Sequence, residues 1–576
     1  MRPLVFTVLL GCPPPEKGGP ALESDPPVET GVDSVGLDSP SSDSAAPAEV
    51  SDPCDGLDND GDGLVDEDPD QTWYTDADGD GAGDDATAAL GCGGSGVDVG
   101  GDCDDADPTI SPGAEDPCGD DIDQDCAGDD DACTTGALSL SGAHAILYGQ
   151  HADDHAGEHL AGAGDVDGDG YADLLIGSDD VENDAIAQGA YYLVAGPVLG
   201  TSSLADATVV AYGQHASDGL GRAVDGAGDL DGDGYADVAV TADGFDTSDD
   251  EVGALLLYDG PLKDTDPGAT ACWTGGAASE AVGTAVSGAG DLSGDGLDDV
   301  IVGGSQSDLG GLNAGAAWVV SGGTTGISAL REGVAELVGS DAGHGAGTSV
   351  AGVADTDGDG LMEALVGAPQ LGDGGGACLV EAPLSGTLDL ADAELCLEGL
   401  DGDGLGVALG AAGDNNGDGY ADLALGAYTK DLDGWNNGAI YLVLGPVVDP
   451  SALTAAAALI AGTWDGGNVG YHTGSSGDVN ADGYADLLVD CVGCAEAGDS
   501  AGEVGLFLGP LSGGLVLSDA RARYLGEYVG DGAGSAFDVV GDTNGDGYSD
   551  ALIGAHYAYA GGTNGGAAYL IVGFGD

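Results

Sequence analysis

The nine residues Asp165-Val166-Asp167-Gly168-Asp169-Gly170-Tyr171-Ala172-Asp173 recur along the chain in seven closely related copies. The later copies run over residues 229–237, 291–299, 355–363, 414–422, 478–486 and 542–550. Their first residues are separated by 64, 62, 64, 59, 64 and 64 positions. A nearly constant period of this size predicts a repeat architecture, in which each copy belongs to one supersecondary unit.

Each copy places oxygen-bearing side chains at positions 1, 3, 5 and 9, and the main-chain carbonyl of position 7 completes the set. Such a set suits a hard cation that takes six to eight oxygens, so it predicts calcium. Seven acidic turns without an ion are the alternative, but ordinary turns would not keep one register seven times. The predicted ligands are Asp165, Asp167, Asp169, Tyr171, Asp173; Asp229, Asp231, Asp233, Tyr235, Asp237; Asp291, Ser293, Asp295, Leu297, Asp299; Asp355, Asp357, Asp359, Leu361, Glu363; Asp414, Asn416, Asp418, Tyr420, Asp422; Asp478, Asn480, Asp482, Tyr484, Asp486; and Asp542, Asn544, Asp546, Tyr548, Asp550.

The charge of the chain limits its partners. Its 576 residues carry 105 acidic and only 8 basic side chains, a formal charge of −97. Nucleic-acid binding through phosphate neutralisation needs clustered Lys and Arg, so it is excluded. Docking on anionic lipid is disfavoured for the same reason. With 112 Gly and 42% apolar residues, the composition favours short strands joined by tight turns.

The first residues predict export. Arg2 precedes the apolar stretch 4–10, and Leu9-Leu10-Gly11-Cys12 resembles a bacterial lipobox. In this interpretation Cys12 is lipidated and residues 1–12 are a lipoprotein signal, so the membrane is reached only through acyl chains. A plain or truncated signal peptide is the alternative. Residues 13–50, rich in Pro, Ser and Asp, predict a disordered linker. The expected location is the outer membrane or cell surface, or the extracellular medium.

Residues 51–134 predict a small Cys/Asp-rich module. Its segments Cys54-Asp-Gly-Leu-Asp-Asn-Asp-Gly-Asp-Gly and Asp102-Cys-Asp-Asp-Ala-Asp-Pro resemble the metal-binding Cys/Asp repeat of bacterial surface proteins. The module has too few apolar residues to build a core. Disulfides and about two or three calcium ions would therefore supply its stability. About seven further calcium ions are expected in the repeats. The predicted ligands are Asp58, Asp60, Asp62, Asp66, Asp76, Asp78, Asp80 and Asp84. The six cysteines Cys54, Cys92, Cys103, Cys118, Cys126 and Cys133 allow fifteen pairings.

Residues 135–576 predict an all-β, seven-bladed β-propeller. Each unit has an apolar stretch before the acidic loop, a buried strand after it, a third strand such as 189–197, and a shorter fourth strand such as 208–213. The last unit ends after its third strand, whereas residues 143–149 have the character of a fourth strand. The two ends are therefore expected to meet in one blade and close the ring.

The array resembles the FG-GAP repeats of integrin alpha-chain propellers and their bacterial relatives. The tripeptide Gly367-Ala368-Pro369 preserves the "GAP" motif, and a Gly stands eight residues before every loop at the "FG" position: Gly157, Gly221, Gly283, Gly347, Gly406, Gly470 and Gly534. Three loop residues depart from the pattern, namely Ser293, Ala481 and Glu363. The third loop, with three carboxylates, is expected to bind calcium weakly. Integrin propellers carry calcium in only some blades, so seven sites exceed that pattern.

Other constellations favour structural interpretations. His151, His155 and His159 could suggest zinc, but the aligned positions of the next repeat include Gly219 and Ala223. Cys491 and Cys494 are expected to form a local disulfide rather than a redox pair. Cys378 and Cys396 are expected to form a cross-strand disulfide. Cys272 has no obvious partner. The Tyr side chains at loop position 7 are expected to pack between blades.

No nucleophile elbow, phosphate-binding Gly-Lys-Ser/Thr loop or zincin motif occurs, so the sequence predicts a non-enzymatic protein. The resemblance implies a ligand-binding or adhesion module whose partner is a cell-surface protein or glycan. Its expected recognition loops join second and third strands, among them residues 178–188, 242–252, 428–437 and 556–564. A structural, metal-holding coat protein and a hydrolase scaffolded by the propeller are the alternatives.

Overall fold

The computed structural model describes residues 72–75, 77, 89–90, 97 and 136–574, without 184–185, 246–251, 263–267, 277–279, 394, 433 and 560–561. The chain divides into two compact units near Ala132. Several predictions concern residues outside the described part: the lipidation site Cys12, the linker 13–50, the ligands Asp58, Asp60, Asp62, Asp66, Asp76, Asp78, Asp80 and Asp84, and the six amino-terminal cysteines.

In the smaller unit, the described residues form one short antiparallel pair. Thr72–Trp73 pairs with Ala89–Leu90, and Tyr74 forms a further bridge with Val97.

The larger unit is a ring of seven antiparallel sheets, which confirms the predicted seven-bladed propeller. From the axis outward the strands are His159–Gly164, Asp173–Ser178, Ala190–Val194 and Val209–Tyr212 in blade 1; Leu220–Gly228, Asp237–Ala242, Ala254–Tyr258 and Ala271–Thr274 in blade 2; Val282–Gly288, Asp299–Gly304, Ala316–Ser321 and Ala335–Val338 in blade 3; Val350–Val353, Glu363–Ala368, Gly376–Glu381 and Leu395–Glu398 in blade 4; Leu409–Gly413, Asp422–Ala427, Ala439–Val443 and Ala458–Ala461 in blade 5; Leu487–Cys491, Glu503–Phe507 and Ala522–Leu525 in blade 6; and Ala533–Gly541, Asp550–Ala555, Ala567–Ile571 and Ala145–Tyr148 in blade 7. A two-residue hairpin, Glu182–Asn183 with Ile186–Ala187, lies in a connection of blade 1.

The core lies between the blades. The second strand of every blade is buried along its whole length, because neighbouring blades cover both of its faces. Between blades 1 and 2, for example, Leu175 and Tyr191 share one apolar cluster with Val238 and Leu256. Such shared clusters make the stability of each blade depend on its neighbours.

A short outer strand, which the sequence did not predict, joins neighbouring blades. It lies between the third and fourth strands of one blade and pairs in parallel with the fourth strand of the preceding blade. A 3₁₀ turn then buries a leucine. The strands are Gly136–Ser139, Gly200–Ser203, Gly326–Ala329, Gly386–Asp389 and Gly513–Val516, followed by the turns Leu140–Gly142, Leu204–Asp206, Leu330–Glu332, Leu390–Asp392 and Leu517–Asp519; in blade 5 the 3₁₀ helix Pro450–Ala455 occupies this place.

The two ends of the propeller meet in blade 7, as predicted. Ala145–Tyr148 is the fourth strand of this blade and pairs with Ala567–Ile571 in antiparallel register. Gly136–Ser139 adds a second contact between the two ends, because it pairs in parallel with Ala522–Leu525 of blade 6. Radial closure of this kind leaves only short exposed strand edges.

The predicted "FG" glycines all adopt left-handed backbone angles, with φ between 79° and 93°. Each also packs tightly against the preceding blade. A Cβ added to Gly221 would lie 2.1 Å from the carbonyl oxygen of Ala190, and one added to Gly347 would lie 2.1 Å from that of Ala316. Backbone angle and lack of space therefore both require glycine.

Blade 6 departs from the repeat because it has no inner strand. Four residues after the position-9 carboxylate, where five blades carry glycine, it carries Asp490. The buried Asp490 carboxylate accepts hydrogen bonds from the backbone N–H groups of Gly470 and His472. A side chain thus satisfies donors that strand pairing satisfies elsewhere.

Both predicted disulfides of the propeller are present. Cys378 and Cys396 face each other on adjacent strands, and Cys491 is joined to Cys494 within one loop. Cys272 is also disulfide-bonded. Among the described residues, no helix is long and apolar enough to cross a membrane.

Candidate metal centres and ligand-binding face

The seven acidic loops lie on one end of the ring, because each connects an inner segment to the second strand of the same blade. Their internal hydrogen bonds repeat. In the first loop, Asp165 Oδ2 accepts from the backbone N–H of Gly170 at 3.0 Å, and Asp169 Oδ1 accepts from that of Tyr171 at 3.0 Å. The equivalent two bonds occur in all six other loops. The common register predicted from the sequence is therefore a common conformation.

The position-9 carboxylate is buried in every loop. Asp173 accepts hydrogen bonds from the backbone N–H of Val166 within the loop and from that of Gly196 after the third strand. Burial raises its pKa to about 6, although these hydrogen bonds oppose the shift. Burial likewise raises the pKa of Glu363 to about 7. These residues anchor the loops, and their desolvated charge favours a nearby cation.

Three loops bring several carboxylates together. Ligand atoms lie within 4.8 Å of one another in the groups Asp165, Asp167 and Asp169; Asp229, Asp231 and Asp237; and Asp355, Asp357, Asp359 and Glu363. Asp167 Oδ1 and Glu363 Oε1 are buried and have no hydrogen-bond partner among the described residues. An oxygen-only donor set with such unpartnered atoms fits a hard divalent cation. The fifth, sixth and seventh loops have Asn at position 3, so they bring fewer charges together.

The position-7 side chains pack on the neighbouring loop. A Cβ added to Gly168 of the first loop would lie 2.3 Å from the ring of Tyr235 in the second loop. A Cβ added to Gly545 of the seventh loop would lie 2.7 Å from the ring of Tyr171 in the first loop. The second of these contacts joins blade 7 to blade 1. The predicted packing between blades is confirmed for Tyr171, Tyr235, Tyr420 and Tyr484, whose rings each lie against a glycine of the preceding acidic loop.

The opposite end of the ring carries the exposed aromatic side chains. Trp435 is 69% exposed and Tyr559 is 57% exposed. With Trp464, Tyr471, Tyr528 and Tyr557 they lie in connections of blades 5, 6 and 7, and we call this set the aromatic face. Trp435, Tyr557 and Tyr559 lie in loops that the sequence predicts for recognition, residues 428–437 and 556–564, whereas the three aromatics in connections between blades were not predicted. The sequence feature that could have identified them is an aromatic residue in a Gly-rich turn, outside any predicted strand.

A cavity of about 320 Å³ opens within the aromatic face, between blades 6 and 7. Tyr471 and His472 form one wall, with ring centroids 4.7 Å apart, and His556 and Tyr557 form the other, 3.8 Å apart. Burial lowers the pKa of His556 to about 4, with smaller contributions from His155 and His472. The His556 ring is therefore neutral at pH 7.

Two histidines near blade 1 contact charged side chains of other residues. His155 Nδ1 lies 3.1 Å from Asp180, whereas His159 Nε2 lies 3.2 Å from the Arg222 guanidinium. Burial and, second, the Arg222 charge lower the pKa of His159. Glu158, His159 and Asp179 do converge, but the guanidinium already compensates this group.

Comparison with known families agrees with these features. The FG-GAP repeat family matches residues 220–258, which contain the second acidic loop and its flanking strands. The second blade is therefore similar to this repeat family. The family described as "Putative metal-binding motif" matches residues 42–67, which begin in the predicted linker, and residues 102–132 within the Cys/Asp-rich module. The integrin-like propeller and the metal-binding repeat expected from the sequence are both confirmed.

Two curated relatives resemble part of the chain. Integrin alpha-IIb of Mus musculus is 35% identical over 155 residues, which are 26% of this chain and 14% of the relative. Integrin alpha-PS2 of Drosophila melanogaster is 30% identical over 156 residues, which are 23% of this chain and 10% of the relative. A solved structure titled glucose dehydrogenase aligns with a TM-score of 0.33 and 13% identity, covering 64% of this chain and 99% of that chain.

Proposed function

We propose that the protein is a calcium-stabilised, cell-surface binding module that attaches to a surface protein or glycan through the aromatic face and catalyses no reaction. The observation that carries this proposal is the separation of two features. The acidic loops occupy one end of the ring, and the exposed aromatics occupy the other.

Large exposed aromatic side chains mark binding surfaces, because a partner that covers them removes a large apolar area from water. Connections on a rigid scaffold are the usual place for recognition residues. The scaffold is rigid here because the acidic loops fix the inner end of each blade and the position-7 side chains pack on adjacent loops. The similarity to integrin alpha chains supports adhesion by analogy.

The test compares substitutions at the two ends of the ring in the full chain. Saturable binding to isolated cell envelopes and to their purified polysaccharide is measured with calcium and with EDTA. The double variant Trp435→Ala/Tyr559→Ala should weaken binding by about tenfold or more. The control Leu199→Ala/Val448→Ala removes two exposed apolar side chains that follow third strands, at the end of the ring that carries the acidic loops. It should leave the binding affinity unchanged. Equal affinity of both variants would refute the proposed face.

A structural, metal-holding coat protein is the second candidate, because the metal-binding family matches the amino-terminal module twice. Dense calcium uptake by the folded chain, without saturable binding to envelope or polysaccharide, would favour this function.

A further inference from the structure

We infer that the cavity between blades 6 and 7 is a subsite for one neutral sugar ring, stacked between Tyr471 and Tyr557 and hydrogen-bonded to His556. This inference rests on the proposed binding function and names the ligand class of its deepest pocket.

The cavity has the size and lining of a small-molecule site. Its volume of about 320 Å³ lies at the lower end of the range for ligand pockets. A monosaccharide with part of a neighbouring ring would fill it. Tyr471 and Tyr557 are each about two-fifths exposed, so both rings remain open to a ligand. Sugar rings present apolar C–H faces, and such faces stack on aromatic side chains.

Two imidazole nitrogens of residues that line the cavity make no hydrogen bond within the described residues. His556 Nδ1 is buried and makes no hydrogen bond within the described residues. His472 Nδ1 is buried as well; it lies 3.5 Å from Asp490 Oδ2 without hydrogen-bond geometry. A buried polar atom without a partner costs about 1–3 kcal/mol, which a hydroxyl-bearing ligand would recover. An apolar ligand would leave this cost in place.

Charge selects against ionic ligands. The residues that line the cavity are Tyr, His, Val, Ser and Gly, and none of them is Lys, Arg, Asp or Glu. An anion would find no cation in the walls and would meet a chain with a formal charge of −97. A cation would lose its hydration without gaining a lining carboxylate. A neutral ring with hydroxyl groups meets neither obstacle.

Aromatic contacts extend the wall on both sides. The Tyr428 ring lies 5.1 Å from that of Tyr471, and the His155 ring lies 5.3 Å from that of Tyr557. These edge-to-face contacts hold the two stacking rings in place. The subsite is thus largely formed before a ligand arrives.

The experiment titrates the full, calcium-loaded chain with methyl glycosides of neutral hexoses and N-acetylhexosamines, with methyl glycosides of hexuronates, and with N-acetyl-lysine amide. Saturation-transfer NMR and tyrosine fluorescence report binding. At least one neutral glycoside should bind saturably, with the matching uronate about tenfold weaker or more. Tyr557→Ala and Tyr471→Ala should each weaken binding by about tenfold, whereas Tyr557→Phe should stay within about threefold.

His556→Phe keeps a flat ring and removes the unpartnered nitrogen, so it separates hydrogen bonding from stacking. It should weaken the neutral glycoside by about tenfold. Leu199→Ala, an exposed position at the acidic-loop end of the ring, should not change glycoside affinity. Circular dichroism and thermal melting establish that each variant is folded.

Absence of saturable glycoside binding to the folded wild-type chain would overturn the inference, as would tighter binding of the lysine amide or the uronate. If glycosides fail while envelopes still bind through Trp435 and Tyr559, the proposed function survives and only the subsite is wrong. If envelope binding is absent as well, both are wrong.

Discussion

At the scale of single residues, one loop position offers a clean test of backbone strain. Ala481 occupies loop position 4 with φ of 54°, where the other six loops have glycine. A left-handed conformation costs a residue with a Cβ about 1–2 kcal/mol. Ala481→Gly should therefore raise the free energy of unfolding by up to about 1 kcal/mol, after the entropic cost of glycine.

The matched control introduces the same side chain in the preceding loop. Gly417 has φ of 77°, and an added Cβ would lie 2.7 Å from the Tyr484 ring. Gly417→Ala should lower stability in the urea titration that compares the two variants. Destabilisation by Ala481→Gly would show that the Cβ of Ala481 contributes packing that outweighs its strain.

The sequence identified residues whose role repeats and missed those whose role occurs once. The "FG" glycines and position-9 carboxylates could be predicted, because seven copies reveal a shared backbone requirement. Asp490 could not, since nothing in its own copy shows that it replaces the bonds of an inner strand. Trp464 and Tyr471 escaped for a similar reason, because exposure of a side chain depends on neighbouring blades.

At the scale of elements, the third and fourth loops allow a reciprocal exchange. Position 3 is Ser293 in the third loop and Asp357 in the fourth, where four carboxylates converge. Calcium affinity depends on the number of charged ligands. Ser293→Asp should strengthen the third site by about tenfold, and Asp357→Ser should weaken the fourth by a similar factor. Calorimetric calcium titration measures both, and unchanged titrations would argue against the assigned ligand position.

The outer parallel strands show where element prediction reached its limit. Each has only four residues, and its partner belongs to the preceding blade, so its own sequence carries no periodic signal. The buried leucine that follows each strand is the recognisable feature, but only comparison with the fold gives it meaning. The acidic loops and the closing strand were predictable because register alone locates them.

At the scale of the whole molecule, closure by the amino-terminal strand should control stability of the ring. Leu147 is buried in a cluster with Leu552 and Leu570, although more than 400 residues separate them in sequence. Leu147→Ala should cost about 2–5 kcal/mol, because it leaves a cavity at the closing blade. The exposed Leu199→Ala should change the urea midpoint little. Similar midpoints for both variants would mean that the ring does not depend on this strand.

Calcium should stabilise the ring as a whole, because each acidic loop packs on its neighbour. Each site filled at a hundredfold excess over its Kd adds about 2.7 kcal/mol when the ion binds only the folded chain. EDTA should therefore lower the melting temperature sharply. A melting temperature that is the same in calcium and in EDTA would contradict calcium binding by the loops.

Buried carboxylates at the centre of the ring predict a pH dependence of folding stability that is separate from that of the acidic loops. Asp225 on the inner strand of blade 2 accepts a hydrogen bond from Gly288 N–H in blade 3 at 3.0 Å, and Asp538 bridges blade 7 to Gly162 and Ser475. Burial, and second the Asp538 charge, raise the pKa of Asp225 to about 7. Between the unfolded pKa of about 3.9 and this value, the folded state holds a proton that the unfolded state has lost.

Stability must then fall as pH rises through this window and level off above about pH 7. Asp225→Asn is neutral throughout and keeps an acceptor oxygen for Gly288, so its advantage over wild type should grow from pH 4 to pH 7 and then stay constant. Comparing the two proteins cancels the pH dependence of the acidic loops, which they share. The exposed Asp206→Asn is the control and should track wild type. An advantage independent of pH would mean that the Asp225 carboxylate is no more protonated in the ring than in the unfolded chain.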